Sequence, residues 1–320
     1  MNLKELKIKN HLITIFRRIF QIIAFLIINY TILELIFSIN LIGLEGFLRV
    51  IPVLNSARNP LSNSTGIIEI IFYSFTVGII PIFLIGVFIL IILLTSRIFC
   101  GWICPIGTIQ DACAAIPTKK RTVKLSGGFL GIINHKSLLK IKYIIVIFLI
   151  LLVVPLAISA LINWSFYIEF RANLGDFGDK PLSYFSLSEF IFVFFPDLIR
   201  QIIVTRSIDP IFTNFLVFII SIFYIAVLIL SIWYPRLYCR YFCPFAALSS
   251  VISEYSFLKL SRSPVKCVGR AECGVCERVC PKQIRILDEP FEFFTGKGEC
   301  NLCLKCKESC PYKAIDIKIG

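Results

Sequence analysis

Apolar positions in this chain gather in long runs rather than in alternating or helical stripes. Ile19 to Ile39, Ile79 to Ser96, Tyr143 to Leu161 and Ile211 to Trp233 each have about the length of a bilayer-crossing helix. The pattern predicts a membrane α-helical bundle of four transmembrane helices over residues 1–254. A small α+β domain follows over 255–320, where the chain turns polar. No small-residue cleavage site follows the first run, which reads as an uncleaved anchor.

The segments between the runs carry the breakers and the charge. Pro52, Pro60, Asn63 and Gly66 mark a loop. Asn63-Ser64-Thr65 is a glycosylation sequon, a three-residue match of little weight. Gly66 to Gly78 reads as a short helix packed against the bundle. Residues 163–210 hold six acids and four bases. Within them Leu187 to Val204 is apolar but broken by Pro196, Asp197 and Arg200, which favours an interfacial or half-buried helix over a fifth span.

Mean hydropathy is +0.84, charged residues make up 17%, and Phe alone numbers 30, more than a soluble core needs. The net charge of +13 lies mostly beside the apolar runs, at Lys4, Lys7, Lys9, Arg17 and Arg18 and again from Lys119 to Lys142. That distribution is a topology signal and excludes nucleic acid as the partner. Four spans put both termini and the Lys119–Lys142 segment on one side, and the basic bias makes it cytoplasmic. The expectation is a multi-pass protein of the cell membrane, in contact with lipid.

Thirteen cysteines supply the chemistry. Cys300, Cys303, Cys306, Cys310 and Pro311 keep the C-x2-C-x2-C-x3-C-P spacing without deviation. Three closely spaced thiolates hold one [4Fe–4S] cluster and the fourth reaches to another. Cys273, Cys276, Cys280 and Pro281 keep the same register, and Cys267 sits three residues early. The spacing assigns Cys267, Cys273, Cys276 and Cys310 to one cluster, and Cys280, Cys300, Cys303 and Cys306 to the other. Zinc prefers paired C-x2–4-C, and disulfides suit secreted domains; neither fits. About 65 residues is too few for a sizeable core, so the clusters would serve as one. Cys276–Asp288 aligns with Cys306–Lys318, each a cysteine turn, a short helix and a β-like segment, the plan of an α+β bacterial-type two-cluster ferredoxin domain over 255–320.

The membrane half is also duplicated. Arg97-x2-Cys100-x3-Cys104-Pro105 matches Arg236-x2-Cys239-x3-Cys243-Pro244, each after the second helix of a pair. Pro105 and Pro244 suit the first position of a helix. Cys104 and Cys243 then cap helix amino termini, where the dipole favours thiolate. The two arginines are placed to offset cluster charge. Cys100, Cys104, Cys239 and Cys243 are expected to converge on a third [4Fe–4S] cluster.

Two R-x2-C-x3-C-P sites followed by a two-cluster tail resemble the NapH-type membrane ferredoxins, over about 13–320. The unit also occurs in the NosR and CcoG/FixG groups. The NapH-type resemblance implies electron transfer between membrane quinone and a redox partner or oxidoreductase subunit. The CcoG-like resemblance implies a cupric reductase or assembly factor for a metalloenzyme, with those four cysteines handling copper. The single methionine, Met1, leaves no Met-rich copper ladder. The absence of a flavin domain and of a long tail favours the NapH-like reading. A redox sensor that turns nothing over is the third reading.

Other candidates are few. His11 and His135 fall in basic segments outside the spans, which argues against haem. Glu34 in the first span and Glu69 in the short helix are the carboxylates at membrane depth and so candidates to take a proton from quinol. Cys113 reads as a small buried residue.

Overall fold

The computed structural model describes residues 12–29, 51, 53, 66–116, 135–179, 181–206 and 215–320. Glu34, His11, the Asn63 sequon and Lys119 to Lys124 lie outside them.

The apolar runs become helices whose ends differ from expectation. Helix α1 (Leu12–Ile28) begins seven residues before the expected span and so includes Arg17 and Arg18. Helices α2 (Ile67–Thr76) and α3 (Ile82–Thr95) follow. Helix α4 (Ile98–Trp102) and helix α5 (Pro105–Cys113) frame the first C-x3-C-P. Helix α6 (His135–Ile162) runs unbroken from the basic segment into the apolar one, because lysine is a good helix former. Among the described residues, Ser137–Ile162 is the one stretch long and apolar enough to cross a membrane; the apolar helices Ile82–Thr95 and Phe218–Leu230 are shorter. Large apolar side chains nevertheless line the outside of the bundle, among them Ile22 on α1, Phe83 and Leu90 on α3, and Ile147 and Leu151 on α6.

Helix α7 (Trp164–Leu174) is capped by the Asn163 side chain, which accepts from Ser165 and Phe166 N–H. Leu187 to Thr205 is helical throughout, with a π-helical stretch at Phe190–Phe194 leading into α8 (Phe195–Thr205). Pro196 sits in the first turn of α8, where its missing N–H costs least. Ile199 and Ile203 stay exposed on α8. Helix α9 (Phe215–Leu230) leads to the second motif, framed by α10 (Leu237–Tyr241) and α11 (Pro244–Ser253).

In the tail, strand β1 (Leu258–Arg262) pairs antiparallel with β2 (Ile315–Ile319), Leu260 opposite Ile317. Between them lie helix α12 (Val275–Val279) and helix α13 (Lys305–Glu308). The expected second β-like segment is absent: Ile286–Asp288 is a 3-10 turn. Side chains take the backbone groups a strand would use. The Glu277 carboxylate accepts Leu287 N–H at 3.0 Å, and Arg262 donates to the carbonyls of Leu287 and Glu289 at 3.3 and 3.1 Å. The partner strand comes instead from β1, upstream of the repeat.

The tail lies flat on the cysteine loops of the helical half. Gly101 and Gly298 make this possible. A Cβ on Gly101 would stand 2.2 Å from the Asn301 carbonyl, and one on Gly298 would stand 1.9 Å from that of Ser250. Gly298 also needs its φ of +73°. Trp102 Nε1 donates to Leu302 O at 2.9 Å, and Phe257 N–H to Leu93 O at 2.8 Å.

Candidate iron-sulfur sites

The two halves of the tail build equivalent cysteine loops. Gly274 after Cys273 and Leu304 after Cys303 both adopt φ +59°, and each opens the short helix that carries the next cysteine. Leucine pays a steric cost there that glycine avoids. The residue before a proline is pushed into extended backbone. Cys280 accordingly has ψ 116° and leaves the axis of α12.

Two small pockets result. Cys267, Cys273, Cys276 and Cys310 line the first. Cys280, Cys300, Cys303 and Cys306 line the second. The long gap after Cys267 is taken up by one helical turn, Gly269–Glu272, and Cys267 stays at its pocket. The first pocket is walled by Val275 and Ile315, the second by Leu260, Ile286 and Phe294. Four thiols around each cavity in apolar walls is the donor set a cubane takes. Burial pushes the Cys276 and Cys280 thiols up to about 11 and Cys300 up to about 12. Without metal these groups stay protonated at neutral pH; iron must displace the protons.

The membrane-side motifs fold as a matched pair. Cys104 N–H donates to Phe99 O at 2.9 Å and Cys243 N–H to Tyr238 O at 3.0 Å, the same six-residue turn. The following prolines start α5 and α11. Cys100, Cys104, Cys239 and Cys243 are all buried in one apolar cluster with Ile106, Tyr238 and Phe245. Gln110 joins the copies, donating to Cys239 Sγ at 3.1 Å and accepting Tyr238 N–H at 3.1 Å. Burial opposes the expected thiolate preference. Cys243 Sγ accepts Ala246 N–H at 3.4 Å. Burial outweighs such help, and with the negative charge of Cys239 and Cys100 it pushes Cys104 up to about 12. Cys243 rises well above the usual thiol range for the same reasons. Among the described residues no three His, Cys, Asp or Glu close on a single metal ion.

The two motif arginines find carboxylates that the sequence reading passed over. Arg236 is fully buried and grips Asp111 with two nitrogens, at 3.0 and 2.7 Å, while its third donates to Cys100 O at 2.7 Å. Arg97 is also fully buried and reaches Glu299 Oε2 at 3.2 Å and Gly298 O at 2.9 Å. One acid thus comes from the helical half and the other from the tail. Burial alone would raise the Asp111 carboxyl; Arg236, with Arg17 and Arg18, outweighs it and holds it well below the usual range. Burial likewise opposes the Glu299 charge, but Lys282, Arg97 and Lys142 bring it down to about 2. Position 111 corresponds to Ser250 in the second copy, 139 residues on. This break in the repeat was the available signal.

Two further corrections concern charge. Arg17 and Lys142, counted with the topology signal, are wholly buried. Arg17 lies 3.5 Å from Asp111, and Lys142 bonds Glu299. Glu69 sits half-buried on α2. Cys113, expected to be buried, is partly exposed at the end of α5, outside the cysteine groups.

Duplicated cysteine loops packed on a ferredoxin-like tail define an iron–sulfur protein of the electron-transfer class. A 4Fe-4S binding domain is matched twice, over residues 76–124 and 215–262, one match on each C-x3-C-P copy. The chain is 27% identical over 258 residues to an uncharacterised protein of Methanocaldococcus jannaschii, MJ0749, covering 76% of this chain and 78% of that one. It is 27% identical to YccM of Escherichia coli, named for electron transport, over 75% of this chain and 57% of YccM. It is 23% identical to the ferredoxin-type protein NapH of Haemophilus influenzae, over 69% of this chain and 62% of NapH. No solved structure matches. The chain thus carries a 4Fe-4S binding domain twice and is similar to 4Fe-4S proteins of the NapH and NosR type.

Proposed function

We propose that this protein is a multi-pass membrane electron carrier with three [4Fe–4S] clusters, passing electrons between the quinone pool and a redox partner on the cytoplasmic side. Cys267, Cys273, Cys276 and Cys310 hold the first cluster. Cys280, Cys300, Cys303 and Cys306 hold the second. Cys100, Cys104, Cys239 and Cys243 hold the third. Each cubane supplies one-electron redox chemistry at a potential its surroundings set. The protein's part is to fix the three in sequence and keep water away.

The observation that carries this reading is the adjacency of the cysteine groups. Helix α12 carries Cys276 of the first and ends at Cys280 of the second. Two residues on, Lys282 Nζ donates to Cys239 O of the third at 3.0 Å. On the other side Gly101, next to Cys100, touches the backbone of Asn301, next to Cys300. The apolar side chains outside α1, α3 and α6 supply a lipid-facing surface, which supports a place in the membrane.

The test is anaerobic reduction of the purified protein by menaquinol, followed by EPR of the clusters. Quinol is expected to reduce at least one cluster. No cluster reduction, together with rapid Cu(II) reduction by chemically reduced protein, would replace this reading with that of a cupric reductase.

A further inference from the structure

We propose that Arg17 and Arg262 are hydrogen-bond donors to the two tail clusters, as Arg97 is to the membrane-side cluster, each holding the potential of its own cluster up. This rests on the three-cluster reading above.

The argument begins from donors without acceptors. A buried guanidinium with unmet N–H groups carries an uncompensated desolvation cost. Arg17 is 0% exposed, yet none of its three side-chain nitrogens has a hydrogen-bond partner in the protein. Its contact with Asp111, at 3.5 Å, is an ion pair only. Asp111 is already gripped by Arg236 and Gln21. Helix α1 also packs on α13, which carries Cys306 of the second group, and Arg17 lies within electrostatic reach of Cys303 in that group.

The arrangement recurs at the other two groups. Arg97 leaves Nε and Nη2 unmet and feels Cys100 and Cys243. Arg262 is 5% exposed, leaves Nε unmet, and places Nη1 4.0 Å from Cys267 Sγ in the first group. Its ring contact with Phe291, 4.1 Å, fixes the plane of the fork. Each cysteine group thus has one buried arginine with orphaned donors beside it. The sulfurs of a bound cubane are the acceptors such donors lack, and hydrogen bonds to those sulfurs are a recognised control on potential. A fixed cation that donates to the cluster favours the reduced, more negative state.

The test is a redox titration followed by EPR on the full chain, with iron counted in every sample. Arg17→Met is expected to lower the midpoint potential of one cluster, and Arg262→Met that of a different one, both at unchanged iron. Should Arg17→Met lose iron, Arg17→Lys, which keeps the charge but not the fork, is expected to retain it with a smaller downward shift. Unmoved potentials at full iron, or one equal shift of all three clusters, would overturn the inference. An unsubstituted protein holding fewer than about 12 iron atoms would overturn the cluster count instead.

Discussion

Alanine at both Cys104 and Cys243 will lower the iron content of anaerobically prepared protein from about 12 atoms to about 8, four per cluster lost. The EPR signals of the tail clusters will persist. The reason is local. Each of these cysteines ends a six-residue turn and caps a helix that proline starts, so alanine preserves the backbone and removes only the ligand. The tail pockets contain neither residue. Unchanged iron in the double variant, or a disulfide between these residues in anaerobic protein, would sink the third cluster.

The second large effect belongs to Asp111. Its replacement by alanine leaves the fully buried Arg236 and Arg17 without their carboxylate. Breaking a buried pair from one side costs about 3–5 kcal/mol, because the remaining charge has no water to turn to. For a chain of this size that is a drop on the order of 10 °C in the thermal midpoint. The natural control is Asp316→Ala, which breaks an exposed pair with Lys307 at 2.9 Å. Exposed pairs contribute about 0–1 kcal/mol, so its midpoint should scarcely move. Thermal unfolding of both variants in detergent decides the matter. Equal drops would mean that burial does not set the strength of the Asp111 pair.

The cysteine framework was legible because its information is short-range. A C-x2-C-x2-C-x3-C-P run fixes ligand, turn and helix start within a dozen residues, and the two motif copies announce themselves by repetition. The same local rule found α5 and α11. What the sequence hid depends on contacts across hundreds of positions. Glu299 follows the tail's loop yet neutralises Arg97, 202 residues earlier. Lys142 and Arg17 look like ordinary flanking charges until packing turns them inward. The 3-10 turn at Ile286–Asp288 had a β-like pattern, yet the side chains of Arg262 and Glu277 occupy backbone groups that a strand would use. Cys267 is an intermediate case. Its spacing was irregular, but one inserted helical turn was enough to absorb it.

The glycine contacts between tail and helices also bear on kinetics. A soluble ferredoxin must find its partner by diffusion, and salt weakens the attraction that guides it, with a screening length of about 8 Å at physiological strength. Here the carrier is already seated, backbone against backbone, at Gly101 and Gly298. The charges at its seat, Arg97, Lys142 and Lys282 around Glu299, are shielded from ions. No encounter step separates the second and third cysteine groups. Hopping between them is therefore expected to be indifferent to ionic strength and to solvent viscosity, and only delivery to the external partner should respond to either.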